Sequence, residues 1–238
     1  VAASYVGTFG GSAEASFDDN ISWTTTRTIE AGEHVVVIVA VANAAVSVSS
    51  ITVGSLSLSL DYATSTDGDI EFWSARATAQ ISSGATVTVT MSGDSTYKGA
   101  VGEVLAGVET TAYLRASASN ENGFGSTIAT GTTDSSPLTD DIALAAAYVY
   151  GDSSTTVTSC ATGFTMGGDN GGTDWGVGSC GAYQAAYKVL TGDGAVAGTF
   201  TLSGSIDVSA GIVVYKAAAG GGAVAQVTIP AAAVRAAA

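Results

Sequence analysis

The chain has 238 residues, enough for one large β-sandwich or two small ones. Seven basic residues against 21 acidic ones give a net charge of −14, which opposes nucleic-acid binding and anionic membranes, since both are polyanions that attract lysine and arginine. Only 12% of residues are charged, so solubility rests on hydroxyls and amides, a composition that points to an extracellular or virion surface.

Taken in chain order, the elements read as strands. Val35-Val36-Val37-Ile38-Val39-Ala40-Val41 is apolar at every position. A half-exposed antiparallel strand would alternate, so this one is predicted to be central, its second face under a loop or a partner. The apolar run from Val35 to Val46 is too short to span a bilayer. Val46 and Val48 are out of phase with Ile51 and Val53, which predicts a bulge or bend at Ser49-Ser50. Leu56, Leu58 and Leu60 alternate with serines. Ile70 and Phe72 alternate with Glu71 and Trp73, which places Glu71 towards solvent. Val87, Val89 and Met91 form the next stripe between threonines.

Residues 116–139 are polar and read as a long mobile connection around Pro137. Beyond it, Ile142, Leu144, Ala146, Tyr148 and Tyr150 share a face. Further stripes are Tyr183 to Val189, Val196 to Leu202 and Val208 to Val214. Gly32, Gly54, Gly84, Gly107, Gly194 and similar positions supply turns at a spacing of about ten residues, as in a sandwich or barrel. The expected fold is therefore all-β, an antiparallel jelly-roll-like β-sandwich over residues 1–219. An extended C-terminal tail follows, in which Gly220-Gly221-Gly222 is a hinge and residues 220–238 an arm. Val224, Val227 and Ile229 in that arm would pair with another subunit by strand addition.

Three pieces carry a resemblance: Val35 to Val41 with Val48 to Gly54; Ile70-Glu71-Phe72-Trp73 with Ile81 to Thr90; and Gly102 to Val108. The order resembles β-sandwich modules of bacterial secreted proteins and of bacteriophage tail or capsid-surface (decoration) proteins. The resemblance covers about residues 5–216. It implies a structural or adhesive module on an extracellular or virion surface, and no catalytic residues.

The chemistry-bearing residues are few. His34 is the only histidine, and it opens the apolar strand, where a structural role is expected. No nucleophile-elbow motif accompanies it. Local aspartate pairs fall at turns, which aspartate favours for its own backbone bonding, so no catalytic residues are assigned and the chain is read as no enzyme. Cys160 and Cys180 bracket a glycine-rich stretch, either as a disulfide or as two reduced buried thiols. Within it, Asp169, Asn170 and Asp174 could offer oxygen ligands to calcium, the one cofactor considered. Trp73 and Trp175 are candidates for stacking on a sugar. The expected partners are copies of itself or other structural subunits, or a glycan. A non-catalytic subunit of an extracellular assembly follows, with a phage virion surface, tail or decoration protein first. A secreted pilus-like filament subunit or a carbohydrate-binding module is the alternative.

Overall fold

The computed structural model describes residues 1–14, 18–41, 45–64, 70–95, 98–149, 155–161, 163–167, 175–176 and 182–219. The arm that holds Val224, Val227 and Ile229 lies outside them. The described residues form strands and no helix. In chain order the strands are β1 (Ser4–Glu14), β2 (Asp18–Thr24), β3 (His34–Val41), β4 (Val48–Val53), β5 (Leu56–Ser57), β6 (Ser59–Ala63), β7 (Ile70–Arg76) and β8 (Thr86–Ser95). They continue with β9 (Lys98–Ala106), β10 (Leu114–Ala129), β11 (Ile142–Val149), β12 (Val157–Cys160), β13 (Thr165–Met166), β14 (Trp175–Gly176), β15 (Ala182–Val189) and β16 (Thr199–Tyr215). All pairings are antiparallel.

The strands make a sandwich of stacked layers. A five-stranded sheet, β1-β9-β3-β7-β6, lies in the middle. One face packs on the four-stranded sheet β2-β8-β4-β5, through Val35, Val37, Val39 and Val41 against Ile21, Ile51, Val87 and Val89. The other face packs on the sheet β10-β16-β11-β15-β13, through Val36, Ile38, Ile70, Phe72, Val101 and Leu105 against Ile142, Leu144, Ala146, Val213 and Tyr215. This explains the missing alternation in Val35–Val41: all eight residues of β3 are buried, and the second cover is this chain's own sheet rather than a loop or a partner. The Val48/Ser50 register shift supplies the bulge that the phase slip required.

Residues 114–129 are not a loop. They form the 16-residue strand β10 along β16. Its serines, asparagines and glycines hide it from a search for apolar stripes. Ladder pairing and a single covered face are enough for an edge strand.

The second half of the chain repeats the first. The inner sheet order β1-β9-β3-β7-β6 is matched element by element by β10-β16-β11-β15-β13. The outer sheet is matched too: Thr24 pairs with Thr86 as Ala129 pairs with Thr199, and Val53 with Val87 as Cys160 with Phe200. In the second repeat the inner and outer strands are continuous, so β10 covers the course of β1 and β2, and β16 that of β8 and β9. Fine detail recurs. A bulge falls between Tyr5 and Gly7 opposite Leu105 and Val104, and between Leu114 and Ala116 opposite Tyr215 and Val214. Ala77 exchanges backbone bonds with Gly32 and Glu33 as Leu190 does with Asp140 and Asp141. The Glu33 carboxylate accepts from the Glu30 N–H at 2.8 Å, and Asp141 from the Leu138 N–H at 2.9 Å. Gly32 and Asp140 share a left-handed backbone, with φ of 95° and 73°.

The repeats meet at a seam whose apolar residues come from both inner sheets. Its end is closed by a short clasp. The Glu109 N–H donates to the Lys216 carbonyl at 2.9 Å, and the Ala218 N–H to the Gly107 carbonyl at 2.7 Å. The Val1 ammonium donates to the Ala218 carbonyl at 3.2 Å.

Packing is tightest where glycine lets an aromatic ring approach the ladder. A Cβ on Gly102 would lie 2.2 Å from the ring of Phe9. Gly102→Ala is expected to destabilise the chain by about 1–3 kcal/mol through overpacking, whereas Gly192→Ala, with nothing within 4 Å, leaves the urea midpoint in place. Equal midpoints for the two variants would contradict this packing.

Candidate functional site

A cluster of polar side chains sits inside the seam. His34 opens β3 and, with even numbering, faces the second repeat. Its Nε2 lies 3.0 Å from the Ser74 hydroxyl on β7. Asp61, on the bulge of β6, accepts hydrogen bonds from the hydroxyls of Tyr215 (2.7 Å), Ser74 and Tyr113. The His34 ring is flanked by Tyr113 at 4.5 Å and Tyr215 at 5.1 Å between centroids. Five residues from β3, β6, β7, β16 and the link before β10 are thus drawn together, three from the first repeat and two from the second.

The electrostatics follow from burial. His34 is held down at about 4 rather than 6.5, first by desolvation and then by the Arg76 guanidinium. Burial pushes the Asp61 carboxyl up, against the opposing effect of its hydroxyl donors. Tyr215, fully buried, is held well above the ordinary phenol value by desolvation and by the Asp61 charge. Near neutral pH the cluster contains a neutral imidazole. A serine–histidine relay for acyl transfer would place the acid on the imidazole and leave the serine open to substrate. Here Asp61 bonds to Ser74, and His34 and Ser74 are 2% and 1% exposed. The arrangement is a hydrogen-bond network between packed sheets.

A second network lies on the other side of the same seam. The Tyr5 hydroxyl donates to Glu103 Oε2 at 2.7 Å, and the Tyr5 ring stacks on Tyr187 with centroids 3.9 Å apart. In the repeat correspondence Gly167 takes the place of Asp61, because Leu60 pairs with Trp73 as Met166 pairs with Ala186. A Cβ at Gly167 would lie 3.1 Å from Glu103 Oε1, so the absent side chain leaves room for a carboxylate from β9. Each side of the seam thus holds a carboxylate bonded to tyrosine, Asp61 to Tyr215 and Tyr113 on one side and Glu103 to Tyr5 on the other, built from non-equivalent residues.

Several expectations are corrected here. Glu71 does not face solvent; it is 2% exposed. Its Oε1 accepts from the Val48 N–H at 2.9 Å and its Oε2 from the Trp73 indole N–H at 2.6 Å, and burial raises its carboxyl pKa. Alternation was misleading because both faces of β7 are covered. Trp73, for the same reason, is buried in the outer core of the first repeat and bonded to Glu71, so it offers no open face to a sugar. Of Trp175 only the backbone is described, pairing with Tyr183. Asp169, Asn170, Asp174 and Cys180 fall outside the described residues. Cys160 is buried beside Gly198 in the core of the second repeat, where burial pushes its thiol up to about 11. Among the described residues, no group of three potential ligands gathers as a metal site.

No family model matches the chain, and neither a curated protein nor a solved structure matches it.

Two outcomes are expected. His34 binds its proton less readily folded than unfolded. It therefore stabilises the fold fully above pH 6.5, and this is lost as pH falls towards 4, an effect of about 3 kcal/mol. Asp61 opposes it: its raised pKa favours the folded state at low pH, and that stabilisation fades as pH rises. Urea titrations at several pH values should give His34→Gln a flatter profile than the parent between pH 6.5 and 4; parallel profiles would contradict the assignment. Tyr215→Phe, which strips Asp61 of a buried donor, should cost about 1–3 kcal/mol in the same assay near neutral pH.

Proposed function

We propose that the chain is a non-catalytic structural module of an extracellular assembly, with the surface, tail or decoration layer of a phage virion as the specific setting. The observation that carries this reading is that two sandwich repeats, each with an apolar core of its own, are joined face to face through a buried apolar seam between their inner sheets. Such a body resists deformation, as a load-bearing or presenting subunit requires. Composition supports the same setting: hydroxyl-rich exposed strand positions, such as Ser22, Thr24, Thr86 and Ser92, accompany a low content of charge.

Among the alternatives, a filament built by adding strands to open sheet edges is less well supported. Of the edge strands, β1, β2, β6 and β10 each carry at least one register shift, and β5 and β13 are only two residues long; bulges and short edges both blunt a sheet against pairing. A discrete subunit that joins its neighbours through faces, loops or the arm fits these edges better. A carbohydrate-binding module has lost Trp73 as a platform.

The test is the state of the purified chain. Multi-angle light scattering and negative-stain microscopy should find an ordered oligomer or array for residues 1–238 and a folded monomer after deletion of residues 220–238. A full chain that stays monomeric at high concentration, alone and with candidate virion subunits, would contradict the reading. Intact mass with and without reductant decides between the two readings of Cys160 and Cys180: a disulfide gives a gain of two hydrogens on reduction, and free thiols give none.

A further inference from the structure

We propose that the seam between the repeats is an acid-sensitive joint: protonation of His34 loosens one repeat from the other while the outer cores stay folded.

Three observations carry this. First, each repeat has an apolar core apart from the seam: the layer between the inner and outer sheets in the first, and the cluster around Ala145, Phe200, Ile212 and Val214 in the second. Opening the seam need not melt either. Second, the only histidine of the chain lies in the seam, 2% exposed, and its neighbours come from both repeats. Third, a proton there meets no free counter-charge. From β7 it faces Ser74 and the Arg76 guanidinium, which repels it. From β6 it faces Asp61 only across the Ser74 hydroxyl, and burial raises the pKa of that carboxyl so that it takes up a proton of its own as the pH falls. From the link before β10 and from β16 it faces the rings of Tyr113 and Tyr215. On β9 its ladder partner is the apolar Leu105, and Glu103, two residues away, is engaged with Tyr5. Asp141, beside the ladder partner of Tyr215, is paired with Arg115 and with the N–H groups of Leu138 and Ala217.

The imidazolium therefore gains hydration only by leaving the seam. A buried charge without a partner is costly, and the cheapest relief is separation of the two inner sheets at that end. Among the described residues, the backbone hydrogen bonds that join the two repeats at this end are those of the clasp and the one from the Ala3 N–H to the Asp140 carbonyl at 2.9 Å. The clasp consists of short terminal segments, which open easily.

The molecule supplies its own reporters. Trp23 and Trp73 belong to the outer core of the first repeat, whereas the aromatic residues of the seam are mostly tyrosines. The full chain carrying Trp175→Phe would be acidified from about pH 7.5 to about pH 4. Tryptophan emission, binding of a hydrophobic dye and the radius of gyration by X-ray scattering would be followed together. The expected result is a rise in dye binding and in radius, with a midpoint between about 4 and 6.5, while tryptophan emission keeps its buried wavelength. His34→Gln, which retains a hydrogen-bonding group without titrating, should abolish the transition in this range. His34→Phe serves as the second uncharged variant if the glutamine chain fails to fold. Asp61→Asn, which cannot gain the compensating proton, should move the midpoint. The inference is overturned by any of three results: no dye binding down to about pH 4, a tryptophan shift in step with the dye, or an unchanged transition in the folded uncharged variant. None of these bears on whether the chain assembles, so the proposed function stands or falls separately.

Discussion

The molecule is governed by the fact that its inner sheets are apolar on both faces. β3 and β11 are buried at every position, and a sheet of this kind is stable only between two covers. Each repeat supplies one cover from its own outer strands and leaves the other face bare. Placing the two bare faces together satisfies both at once. Everything else answers to this: the layered architecture, the burial of Glu71 and Trp73, and the polar networks trapped where the faces meet.

The price of such a seam is that polar groups within it have nowhere else to turn. Buried polar atoms need partners, and the two sides meet that need with different residues. Asp61 from β6 serves one side, and Glu103 from β9 the other, where Gly167 leaves space. The two repeats share a shape while their buried chemistry differs. Lys98 shows the same difference: it is buried at the start of β9 and paired with Asp18, while its counterpart in the second repeat is Val208.

Much of the fold could be read from the residues, because period and turn chemistry are local. The unbroken apolar run of β3 announced a strand covered twice, and the phase slip at Ser49-Ser50 announced a bulge. Gly32, Gly54, Gly84, Gly107 and Gly194 all adopt positive φ, as turns require. What stayed hidden was non-local. β10 is held by ladder bonds rather than by apolar side chains. The repeat was invisible because equivalent positions differ in kind: Gly32 answers to Asp140, Glu33 to Asp141, Glu71 to Gln184, and the valines of β3 to the alanines of β11. The seam network was equally out of reach, since its members stretch from His34 to Tyr215 and only the topology assembles them.

The clasp has a mechanical consequence. The Val1 ammonium touches the Ala218 carbonyl, and the strand ends at Gly107–Glu109 and Lys216–Ala218 run side by side. The folded body is therefore entered and left at one corner. Tension drawn between those two ends would peel the clasp one hydrogen bond at a time, the weak direction for a β-ladder. Tension between that corner and the far ends of the strands would shear many ladder bonds in parallel, the strong direction. The same fold is thus a soft link when pulled by both ends and a stiff strut when fixed at its corner and loaded at its far end.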